Sequence, residues 1–271
     1  MVMKARLFCV VTFAASPEHG NPATVLTDAD GASDRALVAA CAMLGADIIA
    51  VAGSKAGGEI PLRFFTPAGP HPGAGHATLA AAHVVLRGGG TEQRQAMTDC
   101  VFRQANGEAR PARIEGSRIA IDFPAMPGSP VDRAAALAAA LGANPRESLV
   151  APFGYVAAFD DAASVAALRP DLALLSAFDR NAVIATAPGA GDSDIVIRVF
   201  APKVGLPEDP VCSTAHRIVV PYWSPRLGKR AIHSRQLSSR GGDLWCENKG
   251  DQIAIAGETC LVLEGTIRLP D

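Results

Sequence analysis

Two places in this 271-residue sequence gather side chains able to move protons. His76 follows Gly75 where the small-residue string Gly75-His76-Ala77-Thr78 opens a stretch rich in Ala and Leu. Glu208-Asp209-Pro210-Val211 sets two carboxylates just before a second such opening, Ser213-Thr214-Ala215-His216. Helix starts leave backbone N–H groups unpaired and carry partial positive charge, so both openings could hold a carboxylate. An Asp and a His converging on one ligand can divide acid and base roles around neutral pH. Plainer readings stand beside these. Gly75 and Thr214 could merely start helices, Asp209 could be a capping residue, and His83 and His216 could be packing or surface residues.

The elements that must position these groups are short. Strand-like runs include Arg6–Phe13, Ala23–Leu26, Ile48–Ala52, Ile60–Phe65, Arg118–Phe123, Tyr155–Phe159, Asn181–Thr186, Ile195–Phe200 and Gln252–Gly257, separated by Gly, Pro or Asp. Helices are predicted over Ser33–Leu44, with Ser33 as N-cap, and over His76–Arg87, ending at Gly88. Further helices are expected at Pro130–Leu141, Ala162–Leu168, Pro170–Ser176 and Ser213–Trp223. Many strands with a few helices among them indicate an α+β fold. At the start, Lys4 and Arg6 before the apolar run Leu7–Ala15 outline a secretory signal. Phe8, Val10, Val11, Thr12 and Phe13 are strand formers, and an opening strand is the expected reading.

The chain also repeats itself. Leu62-Arg63-Phe64-Phe65-Thr66-Pro67 leads through a Pro/Gly loop to the helix start at Gly75, and Ile197-Arg198-Val199-Phe200-Ala201-Pro202 leads likewise to Ser213. Two similar halves around one cleft are expected. The joint falls in Pro124–Pro130, where three prolines break any regular element. The reading is an N-terminal half at 1–124, a linker at 125–130 and a C-terminal half at 131–271, whose last strand could return to the first half.

Composition removes several function classes. Apolar residues make up 49% and charged residues 19%, which excludes a disordered chain. With 25 basic and 27 acidic residues there is no basic excess for nucleic acid. No uninterrupted apolar stretch of about 20 residues is present to span a membrane. Six scattered cysteines without C-x-x-C, and six histidines without H-E-x-x-H, argue against a metal site. Those thiols read as reduced and mostly buried in a cytoplasmic protein.

Gly75-His76-Ala77-Thr78-Leu79-Ala80-Ala81-Ala82 resembles a segment of the PhzF-like (phenazine biosynthesis isomerase-like) family. So do Gly20-Asn21-Pro22-Ala23, Arg63-Phe64-Phe65-Thr66-Pro67, Glu208-Asp209-Pro210-Val211 with Ala215-His216 and Pro221-Tyr222-Trp223, and Gln236-Leu237-Ser238-Ser239-Arg240-Gly241-Gly242. The blocks run in the family's order over nearly the whole chain. The resemblance implies a diaminopimelate epimerase-like fold: two pseudosymmetric α+β halves, each a curved sheet around a central helix. It implies a homodimer, no cofactor, and a proton-transfer reaction that shifts a double bond or epimerises a small carboxylate substrate. Asp47 stands at the position of the family's catalytic glutamate, and His76 and Asp209 would orient the substrate and shuttle protons. Asn21, Gly75, Ser213, Thr214, Arg240 and Gly241 would contact the substrate.

There are departures from the family pattern. Asp47 is one methylene shorter than glutamate, a reach about 1.5 Å less. Pro70-His71-Pro72-Gly73-Ala74 replaces E-V-P-x-C, and Cys212-Ser213-Thr214 replaces T-G-S. Neighbouring Ile48 and Ile49 are expected to give Asp47 a desolvated setting that raises its pKa. Two alternatives follow from the departures: a catalytically silent member that binds a ligand or protein, and a thiol-dependent racemase acting through Cys212.

Overall fold

The computed structural model describes residues 3–88 and 97–270. Its contacts group Met1–Asp122 with Ala256–Asp271 as one unit and Phe123–Ile255 as a second.

The first unit runs through β1 (Lys4–Thr12), β2 (Asn21–Thr27), α1 (Asp34–Met43), β3 (Ile49–Ala52), β4 (Ile60–Thr66), β5 (Gly69–His71) and α2 (Gly75–Arg87). It continues with β6 (Asp99–Gln104), β7 (Ala109–Glu115) and β8 (Arg118–Pro124). The opening apolar run is a strand, β1, held between β2 and a late strand. Ser33 caps α1 as its type and place predict, its hydroxyl accepting from Ala36 N at 3.2 Å. Leu37, Ala40 and Cys41 of α1 pack on Leu26, Ile49, Val51 and Phe65. Ala77 to Leu86 of α2 are all buried, the mark of a helix wrapped on every side. That helix packs against β1, β2, β3, β6 and β7.

The second unit contains β9 (Ser129–Pro130), α3 (Ala134–Leu141), β10 (Glu147–Val150), β11 (Gly154–Ala158), α4 (Ala162–Ala167), α5 (Leu172–Ser176), β12 (Ala182–Pro188) and β13 (Ile195–Phe200). A 3₁₀ turn at Pro202–Val204 leads on to α6 (Ser213–Leu227), β14 (Ala231–Gln236), β15 (Gly242–Asn248) and β16 (Gln252–Gly257). The last strand, β17 (Thr259–Arg268), pairs with β1, so 256–271 groups with the first unit rather than with a C-terminal half. Leu137, Leu141, Val165 and Leu175 of α3–α5 pack on Tyr155, Ala157, Val183 and Phe200. On its own side, α6 packs against β14 and β15.

The repeat read from the sequence extends to strand order. In the first unit β1–β2 is antiparallel, β2–β3 parallel, β3–β4 antiparallel, β4–β6 parallel and β6–β7 antiparallel. In the second, β10–β11, β11–β12, β12–β13, β13–β14 and β14–β15 follow the same alternation. The segment expected as a linker, 125–130, is packed into the second unit: Ser129 and Pro130 pair with Val150 and Leu149. For that reason the third helix starts at Ala134, not at Pro130.

The sixth helix runs past Trp223 to Leu227, with Pro221 and Pro225 inside it. A proline within a helix cannot bond the carbonyl four residues back. The Arg217 carbonyl that Pro221 leaves free accepts Met126 N–H at 2.9 Å, and Arg217 Nε donates to Pro124 O at 2.8 Å. The proline-rich segment thus supplies the bond to Arg217 O that Pro221 cannot make. Strands β6, β14 and β17 were not among the strands expected from sequence. In β14 the buried alternate positions are Ile232, Ser234 and Gln236, so the period of two is carried mostly by polar residues.

Candidate active site

In the first unit, Gly20 has φ +71°, and a Cβ there would stand 2.3 Å from Thr12 O. Only glycine fits, and it delivers Asn21, buried, as the first residue of β2 opposite Thr12. Thr12 Oγ1 donates to Asn21 O at 2.9 Å.

Gly75 and His76 are the first two residues of α2. The N-cap is Ala74, which offers no side-chain bond, and the first turn holds no acidic residue. The leading N–H groups therefore lack the usual carboxylate or hydroxyl partner from their own cap. Both Thr78 N and Thr78 Oγ1 donate to Ala74 O, at 2.9 and 2.8 Å. The half-buried His76 has its imidazole pushed down to about 4, by desolvation first and by His71 second. At neutral pH it is an uncharged donor and acceptor.

Asp47 lies on the loop between α1 and β3, with its side chain exposed. Ile48 and Ile49 are buried, but the desolvated setting they were expected to give Asp47 is not formed. The loop itself is anchored: Cys41 Sγ lies 3.1 Å from Ala46 O and 3.4 Å from Phe65 O.

In the second unit the two neighbouring carboxylates separate in role. Glu208 takes a two-point ion pair from Arg198, at 2.8 and 3.0 Å, while Arg198 also donates to Leu168 O. That residue is a brace. Asp209 is not a helix cap, since the N-cap of α6 is Cys212. Its Oδ1 accepts Val211 N–H at 3.1 Å across its own turn. Burial raises the Asp209 carboxyl to about 6, against the lowering effect of bonds from the Cys212 thiol and Val211 N–H. A carboxyl in this range exchanges protons readily near neutrality.

Ser213 and Thr214 begin α6, Ser213 buried and Thr214 half-buried. As in α2, no side chain caps the start and no acid lies in the first turn. Arg240 and Gly241 sit on the turn between β14 and β15, which is tied to the Asp209 loop. Ser238 Oγ donates to Pro210 O at 2.5 Å and accepts Gly241 N–H at 3.1 Å. The second unit therefore brings Asp209, Ser213, Thr214 and the Arg240–Gly241 turn to one corner.

Sequence reasoning missed the residue that fixes this corner. Gln236 Nε2 donates to Asp209 O at 2.6 Å, and its Oε1 accepts Cys212 N–H at 2.9 Å. Its signal was the leading residue of the Gln236–Gly242 block. His216 is a packing residue, as its plainer reading held. Cys212 O accepts from Nδ1 at 2.7 Å, which leaves Nε2 to accept from Ser234 Oγ at 2.8 Å. His83 bonds Thr259 Oγ1 at 2.8 Å.

The racemase alternative loses its ground here. Burial, and then the nearby Asp209 charge, push the Cys212 thiol well above its ordinary range, so the reactive thiolate is disfavoured. All six cysteines are free, four of them buried. Among the described residues no group of three or more His, Cys, Asp or Glu is placed to hold a metal ion, and no helix is long and apolar enough to cross a membrane.

Residues 10–265 match the family model described as phenazine biosynthesis-like protein, PhzC-PhzF. One uncharacterized isomerase of Pseudomonas aeruginosa is 39% identical over 208 residues, 77% of each chain. Another from the same organism is 35% identical over 267 residues, 98% of this chain and 100% of the other. A crystal structure of a PhzF-family phenazine biosynthesis protein from Enterococcus faecalis superposes with a TM-score of 0.91 at 30% identity, covering 98% of this chain and 100% of that one.

Proposed function

This chain belongs to the phenazine biosynthesis-like PhzC-PhzF family and has its diaminopimelate epimerase-like α+β fold, and from that premise we propose that it is a cofactor-independent isomerase. Its reaction takes a proton from one carbon of a small carboxylate and returns it either to another carbon, which moves a double bond, or to the opposite face of the same carbon, which inverts the centre. No electrons are gained or lost overall. Asp47, at the position of the family's glutamate, is the carbon base. Asp209 carries a proton to or from the substrate, and the neutral His76 imidazole holds it in place through hydrogen bonds. Thr214 offers a hydroxyl bond, and the uncapped N–H groups at Gly75 and Ser213 offer sites for its carboxylate.

The observation that carries this reading is the Asp209 carboxyl, raised to about 6 beside a helix start without a cap. The experiment is turnover of a panel of unsaturated and cyclic carboxylic acids in deuterated water, followed by NMR. Asp47→Asn is expected to abolish deuterium entry into the turned-over acid while leaving binding nearly intact; full exchange in that variant ends the assignment of Asp47. The exposure of Asp47 favours one second reading, a member that binds a ligand without catalysis. Saturable binding with no exchange by the unaltered protein would establish that reading instead. The homodimer implied by the family is checked by light scattering.

A further inference from the structure

Two buried glutamines stand at matching places in the repeat. Gln104 ends β6 opposite Leu62 of β4, and Gln236 ends β14 opposite Ile197 of β13. Leu62 and Ile197 are themselves the first residues of the repeated strand motif. Each glutamine lies beside the loop that enters its unit's long helix.

Their hydrogen bonding differs. Gln236, 1% exposed, is spent on its loop through Asp209 O and Cys212 N. Gln104 is 5% exposed, yet among the described residues its side-chain amide makes no hydrogen bond. The amide lies against Gly73, two residues before α2: a Cβ at Gly73 would stand 3.4 Å from both its nitrogen and its oxygen. The loop does not need it. Gly73 N–H already reaches His71 Nδ1 at 3.3 Å, and Ala74 O accepts twice from Thr78.

A glutamine amide has two donors and an acceptor, and the Gln104 amide is not among the sealed side-chain groups that lack a partner, so its unused donors and acceptor are within reach of a ligand. Beside it is a helix start with no side-chain cap and no acid in its first turn. Such a pair, an idle amide and open N–H groups, suits an acceptor-rich anion.

We propose that Gln104 is a substrate-binding residue whose Nε2 donates to the carboxylate of the small acid held at the start of α2. The proposal rests on the reading that the substrate is a carboxylate, and it names the side chain that recognises it in the first unit.

The test uses benzoate as the probe, titrated into the full-length ¹⁵N-labelled protein and into Gln104→Leu and Gln104→Glu. The expected result is saturable movement of the Gln104 side-chain NH₂ signals together with the Gly75–Ala77 amides, while the Gln236 side-chain signals stay put. Gln104→Leu should raise Kd by at least about tenfold, the effect of losing one hydrogen bond to a charged group. Gln104→Glu, of equal size but repelling an anion, should raise it further. Wild-type binding at Gly75–Ala77 that is unchanged in both variants overturns the role of Gln104 and leaves the isomerase reading intact. Absence of saturable benzoate binding to the wild type also overturns it, while deuterium exchange tests the isomerase reading separately. Unchanged spectra outside the loop and α2 show that the variants are folded.

Discussion

Asp209 shows how the burial that lifts a carboxyl's pKa also costs the fold. Its carboxyl sits near 6 in the folded chain because burial disfavours the charge, against about 3.9 in an unfolded one. The folded state therefore holds the proton more tightly. A penalty on folding appears as pH rises from about 4 and is complete above about 6. The shift of about two units corresponds to about 3 kcal/mol, reduced to about 1–2 kcal/mol because the residue is only half-buried. Asp209→Asn is thus expected to stabilise the protein by that amount at pH 8 and to leave it unchanged at pH 4. Urea unfolding at the two pH values measures this, and an equal effect at both would refute the cause given. His76 carries the opposite preference, since burial keeps it uncharged through the neutral range.

Among the elements, α6 has the most to reconcile, because it carries two prolines and also begins with Ser213 and Thr214. Its far end is tied to the sheet by Trp223, whose indole N–H donates to Thr186 Oγ1 of β12 at 2.9 Å. The same hydroxyl donates to Val196 O of β13 at 2.9 Å. All three residues are buried. Thr186→Val conserves shape but leaves the indole N–H without its partner and removes the hydroxyl's bond to Val196 O. An orphaned buried group costs about 1–3 kcal/mol, and a loss of that size is expected. Tryptophan fluorescence during denaturant unfolding reads it, and a loss below about 0.5 kcal/mol would mean that water replaces the hydroxyl. At the other end, the Gln236 amide holds the entry loop, so the start of α6 is set by side chains of its own sheet rather than by a cap.

For the whole molecule, three histidines set the acid limit. His76, His83 and His216 are each lowered to about 4 by burial, whereas an unfolded chain binds these protons near 6.5. Their contribution to stability is fully present above pH 6.5 and is lost as pH falls toward 4. Stability should fall steadily across that window, before most carboxylates titrate, and His83→Gln should make the fall shallower by close to one proton. A denaturant midpoint that holds level from pH 6.5 to 4.5 would contradict this. The sequence by itself determined the class of fold, the repeat, the family and the two helix starts at Gly75 and Ser213. Those features rest on short-range causes: apolar periodicity, Gly and Pro punctuation, and contiguous motifs. By residue type alone it did not separate Glu208 from Asp209, and the choice of Asp209 came from the family resemblance: what sets the two apart physically is the Arg198 that Glu208 braces, ten residues away along the chain, and the burial of the Asp209 carboxyl. It missed β14 because Ser234 and Gln236 are polar side chains made buriable by His216 and by the Asp209 loop. Nor could it see that Asp47 stands exposed beside buried isoleucines. Charge state, burial and hydrogen-bond satisfaction depend on partners distant in sequence, and only tertiary structure supplies those partners.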